Sequence, residues 1–237
     1  AALGERWQPH VFAELRLRTR EMVAHFTAAA LRDLLPDRAD VTIPALAEAG
    51  VLPEHHRVLT VLIDLAARHG LLTAAGAQRW TWGAEPRAHE VFRAVLADHP
   101  QEATAHLAHG VCGRHLAAVL RGERDPLDLL FAEPDTLAAR LYDSSGLLRH
   151  HNRVAAELVR ALVAEWPADR PLRVLEVGAG TGGVTASLLP LLPAERTHYT
   201  YTDVSPAFFS AAAERFAAFD FLDHRVLDLD TDPAEQG

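Results

Sequence analysis

Apolar residues change their spacing near residue 170. Before it they recur every three or four positions, with Ala- and Arg-rich stretches between them, which is the period of amphipathic helices. After it, short β-branched and aromatic runs alternate with helical stretches, the βαβ pattern of a parallel sheet. The join is Trp166-Pro167-Ala168-Asp169-Arg170-Pro171, whose two prolines cannot sit inside a helix. The pattern therefore predicts a mostly helical subdomain over 1–168 and an α/β subdomain over 169–237.

Within the first part, Gln8 to Leu35 reads as one long helix with Val11, Phe12, Leu15, Met22, Val23 and Phe26 on its buried side. Residues 42–82 read as helix, turn, helix and hairpin. Ile43 to Ala49 ends at Gly50, and a second helix opens at Pro53 and stops at Gly70. The hairpin strands are Leu71-Leu72-Thr73 and Arg79-Trp80-Thr81-Trp82, turning at Ala75-Gly76. That order makes a winged helix. Further helices are predicted over 86–98, 101–121, 134–141 and 147–165.

The second part carries the chemistry. Val174 to Val177 is a buried strand that runs into a turn with four glycines, and a helix follows over Val184 to Leu192. Glycine suits a turn where the backbone bends sharply and a ligand must approach without a Cβ in the way. The glycines alone are ambiguous. Gly178, Gly180 and Gly183 satisfy the G-x-G-x-x-G of a dinucleotide site, whereas Glu176, Gly178, Gly180 and Gly182 satisfy E-x-G-x-G-x-G. Glu176 separates the two, because a carboxylate there suits a cationic ligand and repels a pyrophosphate. A second strand, His198 to Thr202, ends at Asp203, where a carboxylate can accept from both hydroxyls of a ribose. A third, His224 to Leu229, places Asp228 near its end, either facing the same crevice or as a solvated turn carboxylate.

Leu175 to Gly183, Tyr199 to Pro206, Val226 to Leu229 and Asp232 to Gly237 resemble the C-methyltransferase domains of polyketide synthases. Val119 to Glu123, Pro126 to Phe131, Leu141-Tyr142 and Asn152-Arg153 are similar to the helical lid that precedes that core. The resemblance implies an enzyme with a Rossmann-like class I core, of which this chain holds the first βαβαβ half. It implies S-adenosylmethionine (SAM) as cofactor, and as substrate the α-carbon of a β-ketoacyl thioester on an acyl carrier protein. Glu176, Gly178, Gly180 and Gly182 would hold the methionine and sulfur end, with Ala179 beside them. Asp203, followed by Val204, would hold the ribose, and Asp228 with the backbone of Leu229 the adenine. Tyr142 and Asn152 would close over the cofactor from the lid. The catalytic base is expected beyond Gly237, and neighbouring polyketide synthase domains in the cytoplasm as partners. A catalytically silent methyltransferase-like domain and an NAD-binding oxidoreductase domain remain as alternatives.

Composition narrows the rest. A net charge of −9 over 237 residues argues against nucleic acid or an anionic membrane as partner. Every basic residue except histidine is arginine, and the one cysteine, Cys112, leaves no disulfide framework. His106, His109, Cys112 and His115 recur every three residues, but that spacing drifts around a helix, so packed or solvated side chains are expected there and no metal. The second helix of the winged-helix stretch shows no dense basic face, which favours packing or dimerisation over DNA binding.

Overall fold

A computed structural model of the chain describes residues 9–131, 137, 140–141 and 145–236. It contains two compact units, Ala1–Gly146 and Leu147–Gly237.

The first unit is organised around α1 (Pro9–Leu34). Met22, Ala24, Phe26, Ala28, Ala30, Leu31 and Leu34 are all buried, so the C-terminal half of this helix is enclosed on several sides. It packs against α3 (His56–Arg68), α4 (Ala88–Asp98), α5 (Ala103–Arg114) and α6 (Leu116–Leu120). The side chains of Val11 and Phe12, expected on the same buried side, lie outside the described residues. Close approach explains Gly113 on α5, since a Cβ there would run into the Phe26 ring.

The winged-helix order is present, with one strand the hydrophobic pattern does not show. β1 (Asp40–Thr42) pairs antiparallel with β3 (Arg79–Trp82), which pairs on its other side with β2 (Leu72–Gly76). Thr42 then caps α2 (Ile43–Glu48), its Oγ1 accepting from the Ala45 N–H at 3.2 Å. Gly70 ends α3 as expected. Its φ is 73°, and the N–H groups of Gly70 and Leu71 close back on the carbonyls of Ala67 and Ala66. The stretch expected as one helix over 101–121 is two, separated by a turn at His115 (φ −102°, ψ 5°). A short helix, α7 (Pro126–Phe131), is absent from the sequence reading, because Pro126 reads equally as a breaker and as a first-turn residue. Most of 134–141 lies outside the described residues.

The second unit begins earlier than the join at 166–171 suggests. α8 (Gly146–Glu165) supplies Ala156, Val159 and Val163 to the same core as the sheet residues Leu172 and Tyr199. The helix assigned to the lid therefore packs as part of the α/β unit. Its sheet is parallel, in the order β4 (Leu172–Val177), β5 (Thr197–Asp203), β6 (Leu222–Val226). The helix after the glycine turn, α9 (Gly183–Leu188), is shorter than expected and gives way to a 3-10 turn at Leu189–Leu191, because Pro190 has no N–H to continue it. α10 (Phe209–Arg215) follows β5. β6 lies two to three residues earlier than the expected 224–229. The N–H of Tyr199 already bonds the Phe221 carbonyl at 2.9 Å, so pairing with β5 starts there and Asp228 falls beyond the strand.

His106 is 1% exposed, and neither ring nitrogen finds a hydrogen-bond partner among the described residues. Burial, then the nearby His109 and His99, push its pKa down to about 4. The folded chain thus keeps a neutral imidazole that the unfolded chain protonates near its ordinary value of about 6.5. Its contribution is complete above that pH and is lost as pH falls from about 6.5 toward 4, up to about 3 kcal/mol. In urea denaturation between pH 7 and pH 4.5, His106→Leu should flatten the acid side of the stability profile relative to the unaltered chain. Parallel profiles would show that His106 is protonated in the folded state.

Candidate functional site

The C-terminal ends of three parallel strands stand side by side, in register from Val177 with Thr202 and from Asp203 with Val226. The glycine turn leaves the first of these ends. Gly178, Gly180 and Gly182 have φ of 69°, 57° and 77°, the left-handed region that only glycine enters at little cost. Gly183 has no positive φ and opens α9. Of the two overlapping patterns, the backbone therefore requires the one built on 178, 180 and 182. A Cβ at Gly178 would meet nothing within 4 Å, so space lies open over the first turn residue, while one at Gly182 would strike the Phe216 ring at 2.6 Å.

Side chains of β5 fix this turn. Asp203 is 7% exposed, and its Oδ2 accepts from the Gly180 N–H at 2.9 Å while Oδ1 accepts from the Ser205 N–H at 2.9 Å. Each carboxylate oxygen keeps a further acceptor direction, so a ribose diol can still be bound. The Tyr201 hydroxyl donates to the Gly180 carbonyl at 2.5 Å. Burial first, then the charges of Glu176 and Asp203, push its pKa up to about 12. Thr202 receives the Ala179 N–H on its carbonyl at 2.9 Å and donates its own hydroxyl to the Glu176 carbonyl at 2.6 Å. Arg215 of α10 adds a bond to the Thr181 carbonyl at 3.0 Å.

Glu176 sits at the end of β4, half-buried. Its Oε2 accepts from Thr185 Oγ1 at 2.6 Å and from the Tyr199 hydroxyl at 2.7 Å. Asp228 lies in a turn past β6. Its Oδ1 accepts from the Asp230 N–H at 2.9 Å, and its backbone N–H and carbonyl are both bound by the Gln236 side chain at 2.8 Å. The Leu227 N–H bonds the Asp203 carbonyl at 3.1 Å, which carries this turn to the same end of the sheet. Val204 and Leu229 are 63% and 69% exposed there.

The structure thus brings together Glu176, Gly178, Ala179, Gly180, Gly182 and Asp203, with Asp228 and Leu229 at the neighbouring strand end. Asn152 is half-buried on α8 with no hydrogen bond to the turn among the described residues, and Tyr142 lies outside them. Sequence reasoning missed Tyr199, Tyr201 and Thr185 as site residues. Nothing local marks them, because Tyr199 and Tyr201 meet partners more than twenty residues away and Thr185 meets Glu176 on another element. An apolar cavity of about 400 Å³ in the first unit, walled by Phe26, Leu62, Cys112 and Leu116 among others, contains none of the expected site residues. Among the described residues no group of three or more His, Cys, Asp or Glu is placed to hold a metal ion.

Comparison with known proteins follows the same lines. Residues 175–237 match the family model described as a methyltransferase domain. The non-reducing polyketide synthase ausA of Aspergillus calidoustus is 32% identical over 234 residues, which covers 94% of this chain and 9% of that protein. Among solved structures, the CurJ carbon methyltransferase superposes with a TM-score of 0.88 at 28% identity, over 100% of this chain and 65% of that one. The citrinin polyketide synthase CMeT domain does so with a TM-score of 0.76 at 27% identity, over 92% of this chain and 60% of that one.

In sequence the chain is similar to a segment of non-reducing polyketide synthases, and in fold to the carbon methyltransferase domains of polyketide synthases. It spans about a tenth of the curated synthase it matches and about two thirds of the solved methyltransferase domains. In this chain the carboxylate of Asp203 is first of all the clamp of the glycine turn. Asp203→Ala should leave the half-buried N–H groups of Gly180 and Ser205 without their acceptor, at a cost of about 1–3 kcal/mol in urea denaturation. A change under about 0.5 kcal/mol would mean that water replaces the carboxylate freely.

Proposed function

We propose that this chain is the cofactor-binding part of a methyltransferase that uses SAM to methylate the α-carbon of a β-ketoacyl chain carried on an acyl carrier protein. The observation that carries the reading is the glycine turn with positive φ at 178, 180 and 182, set between the Glu176 and Asp203 carboxylates. The donor set fits SAM. Glu176 supplies a negative charge for an ammonium or sulfonium, the open space over Gly178 admits a chain against the backbone, and Asp203 retains acceptor directions for the ribose hydroxyls. Asp228 and the Leu229 backbone are the proposed adenine contacts, with Val204 and Ala179 lining the pocket and Tyr142 and Asn152 closing it.

When bound, SAM supplies an electrophilic methyl group on a positively charged sulfur. The residues of this chain would bind and orient it. Two carboxylates near a cationic centre favour its binding, and a turn held by side-chain and backbone bonds from β5 and α10 presents it without reorganisation. The acceptor carbon lies between two carbonyls, so its proton is acidic enough for a general base to remove. The similarity to a segment of a much longer polyketide synthase supports an acyl carrier protein and neighbouring synthase domains as partners. No described helix is long and apolar enough to cross a membrane, and a cytoplasmic location fits the proposal.

Calorimetry on the intact protein should show binding of S-adenosylhomocysteine, weakened by Asp203→Ala by about 1.5–3 kcal/mol. Binding of NADH in its place would overturn the reading. Binding without methyl transfer from labelled SAM to an acetoacetyl thioester would favour a silent methyltransferase-like domain.

The winged-helix element is proposed to serve packing. The exposed side of α3 carries Val58 and Val61 with Arg57, Asp64 and Arg68, two arginines against one aspartate and no dense basic face. A gel-shift at low salt, where phosphate contacts are strongest, should show no retention of duplex DNA. Clear retention would assign α3 to nucleic acid.

A further inference from the structure

Glu176 is bound on one oxygen only. Both Thr185 and Tyr199 donate to Oε2, at 2.6 and 2.7 Å, while Oε1 has no hydrogen-bond partner among the described residues. The two donors come from different elements, Thr185 from α9 and Tyr199 from β5, and both side chains are fully buried. Their chemistry is as informative as their geometry. An arginine or histidine beside Glu176 would fix the carboxylate and cancel its charge, but no ion pair to Glu176 exists among the described residues. Hydroxyls fix the carboxylate and leave its charge in place. Burial, with the Glu176 charge next in weight, pushes the Tyr199 hydroxyl well above its ordinary range, so it remains a donor at any physiological pH.

We infer that Thr185 and Tyr199 are positioning residues, which commit one oxygen of Glu176 to the protein and leave the other, with the full negative charge, for a cationic group of the ligand. This rests on the proposed SAM reading, and within it the cationic group is the α-ammonium of the methionine moiety. Neither residue touches the ligand in this scheme. They act through the carboxylate, and a lone rotamer of Glu176 is the product of their two bonds. Removing either hydroxyl lets the carboxylate swing, and removing both also strips the buried oxygen of its donors.

The test compares two probes on the intact protein. S-adenosylhomocysteine carries the α-ammonium, whereas methylthioadenosine has the same thioether and nucleoside without the amino-acid end. Tyr199→Phe and Thr185→Val should each weaken S-adenosylhomocysteine about ten-fold in calorimetry and leave methylthioadenosine within two-fold. Thr185→Ser, which keeps the hydroxyl, should bind as the unaltered protein does. Combining Tyr199→Phe with Glu176→Gln should cost little more than Glu176→Gln alone, since the tyrosine acts only through that carboxylate. Equal loss of both probes would overturn the inference and make the pair structural. So would unchanged binding of S-adenosylhomocysteine in the double variant Tyr199→Phe, Thr185→Val. Failure of the unaltered protein to bind either probe would instead remove the SAM reading on which the inference stands.

Discussion

Glu176 places a carboxylate on the face of the sheet that the helices cover, beside two buried hydroxyls and a core of Leu188, Tyr199, Tyr201 and Phe216. The oxygen that such a carboxylate turns toward the core needs donors, and Oε2 has two. The consequences spread outward from that requirement. Position 199 must carry a hydroxyl long enough to reach from the neighbouring strand, and position 185 a short one on the helix that follows the turn. Those two anchors fix where α9 begins relative to β4, and the turn between them must close in the few residues from Gly178 to Gly182. Backbone closure on that scale demands left-handed conformations, and glycine provides them. β5 then completes the arrangement, with Tyr201, Thr202 and Asp203 each holding one part of the turn.

The first unit has a different logic. Its reference is a single helix enclosed by four others, and most of its contacts are between apolar surfaces of ordinary kind. Small residues set the distances. Gly110 and Gly113 bring α5 against Phe92 and Phe26, and nothing larger would fit without displacing an aromatic ring. The polar exceptions are few and local. Glu102, 4% exposed, accepts from the Ser145 hydroxyl and the Gly146 N–H at the end of the same unit.

How much of this could be read from the sequence depends on how local each cause is. The glycine turn, the Asp203 strand end and the Gly70 helix stop were legible, because φ preferences and strand alternation act over a few residues. β1 was not, since three residues form a strand only when folding brings a partner from another segment. That partner is β3, where Thr42 comes into register with Arg79. β6 was displaced by two residues because Phe221 and Leu222 satisfy the strand pattern as well as Leu227 does, and the hydrogen bonds of β5 decide between them. The extent of α8 in the second unit was hidden for a similar reason: its amphipathic pattern shows that a face is buried but not against what. Thr185 and Tyr199 were invisible as site residues because each is an ordinary core residue until Glu176 is placed between them.

Handedness gives the arrangement of the sheet a further meaning. The chain passes from β4 to β5 to β6 in one direction, and α9 and α10 contribute to the same core as α8. Right-handed crossovers in one direction put every connecting helix on one face. The opposite face of β4 shows Leu175 and Val177, 60% and 46% exposed. A parallel strand joining the edge of β4 that is unpaired among the described residues would have to be reached by a crossover running the other way, and right-handedness would then lay its helix over Leu175 and Val177. The connections on the two sides of β4 would leave in opposite directions and open a cleft between them. The glycine turn already stands at the mouth of that cleft, so the reversal of winding, and not any side chain, is what would give it walls on both sides.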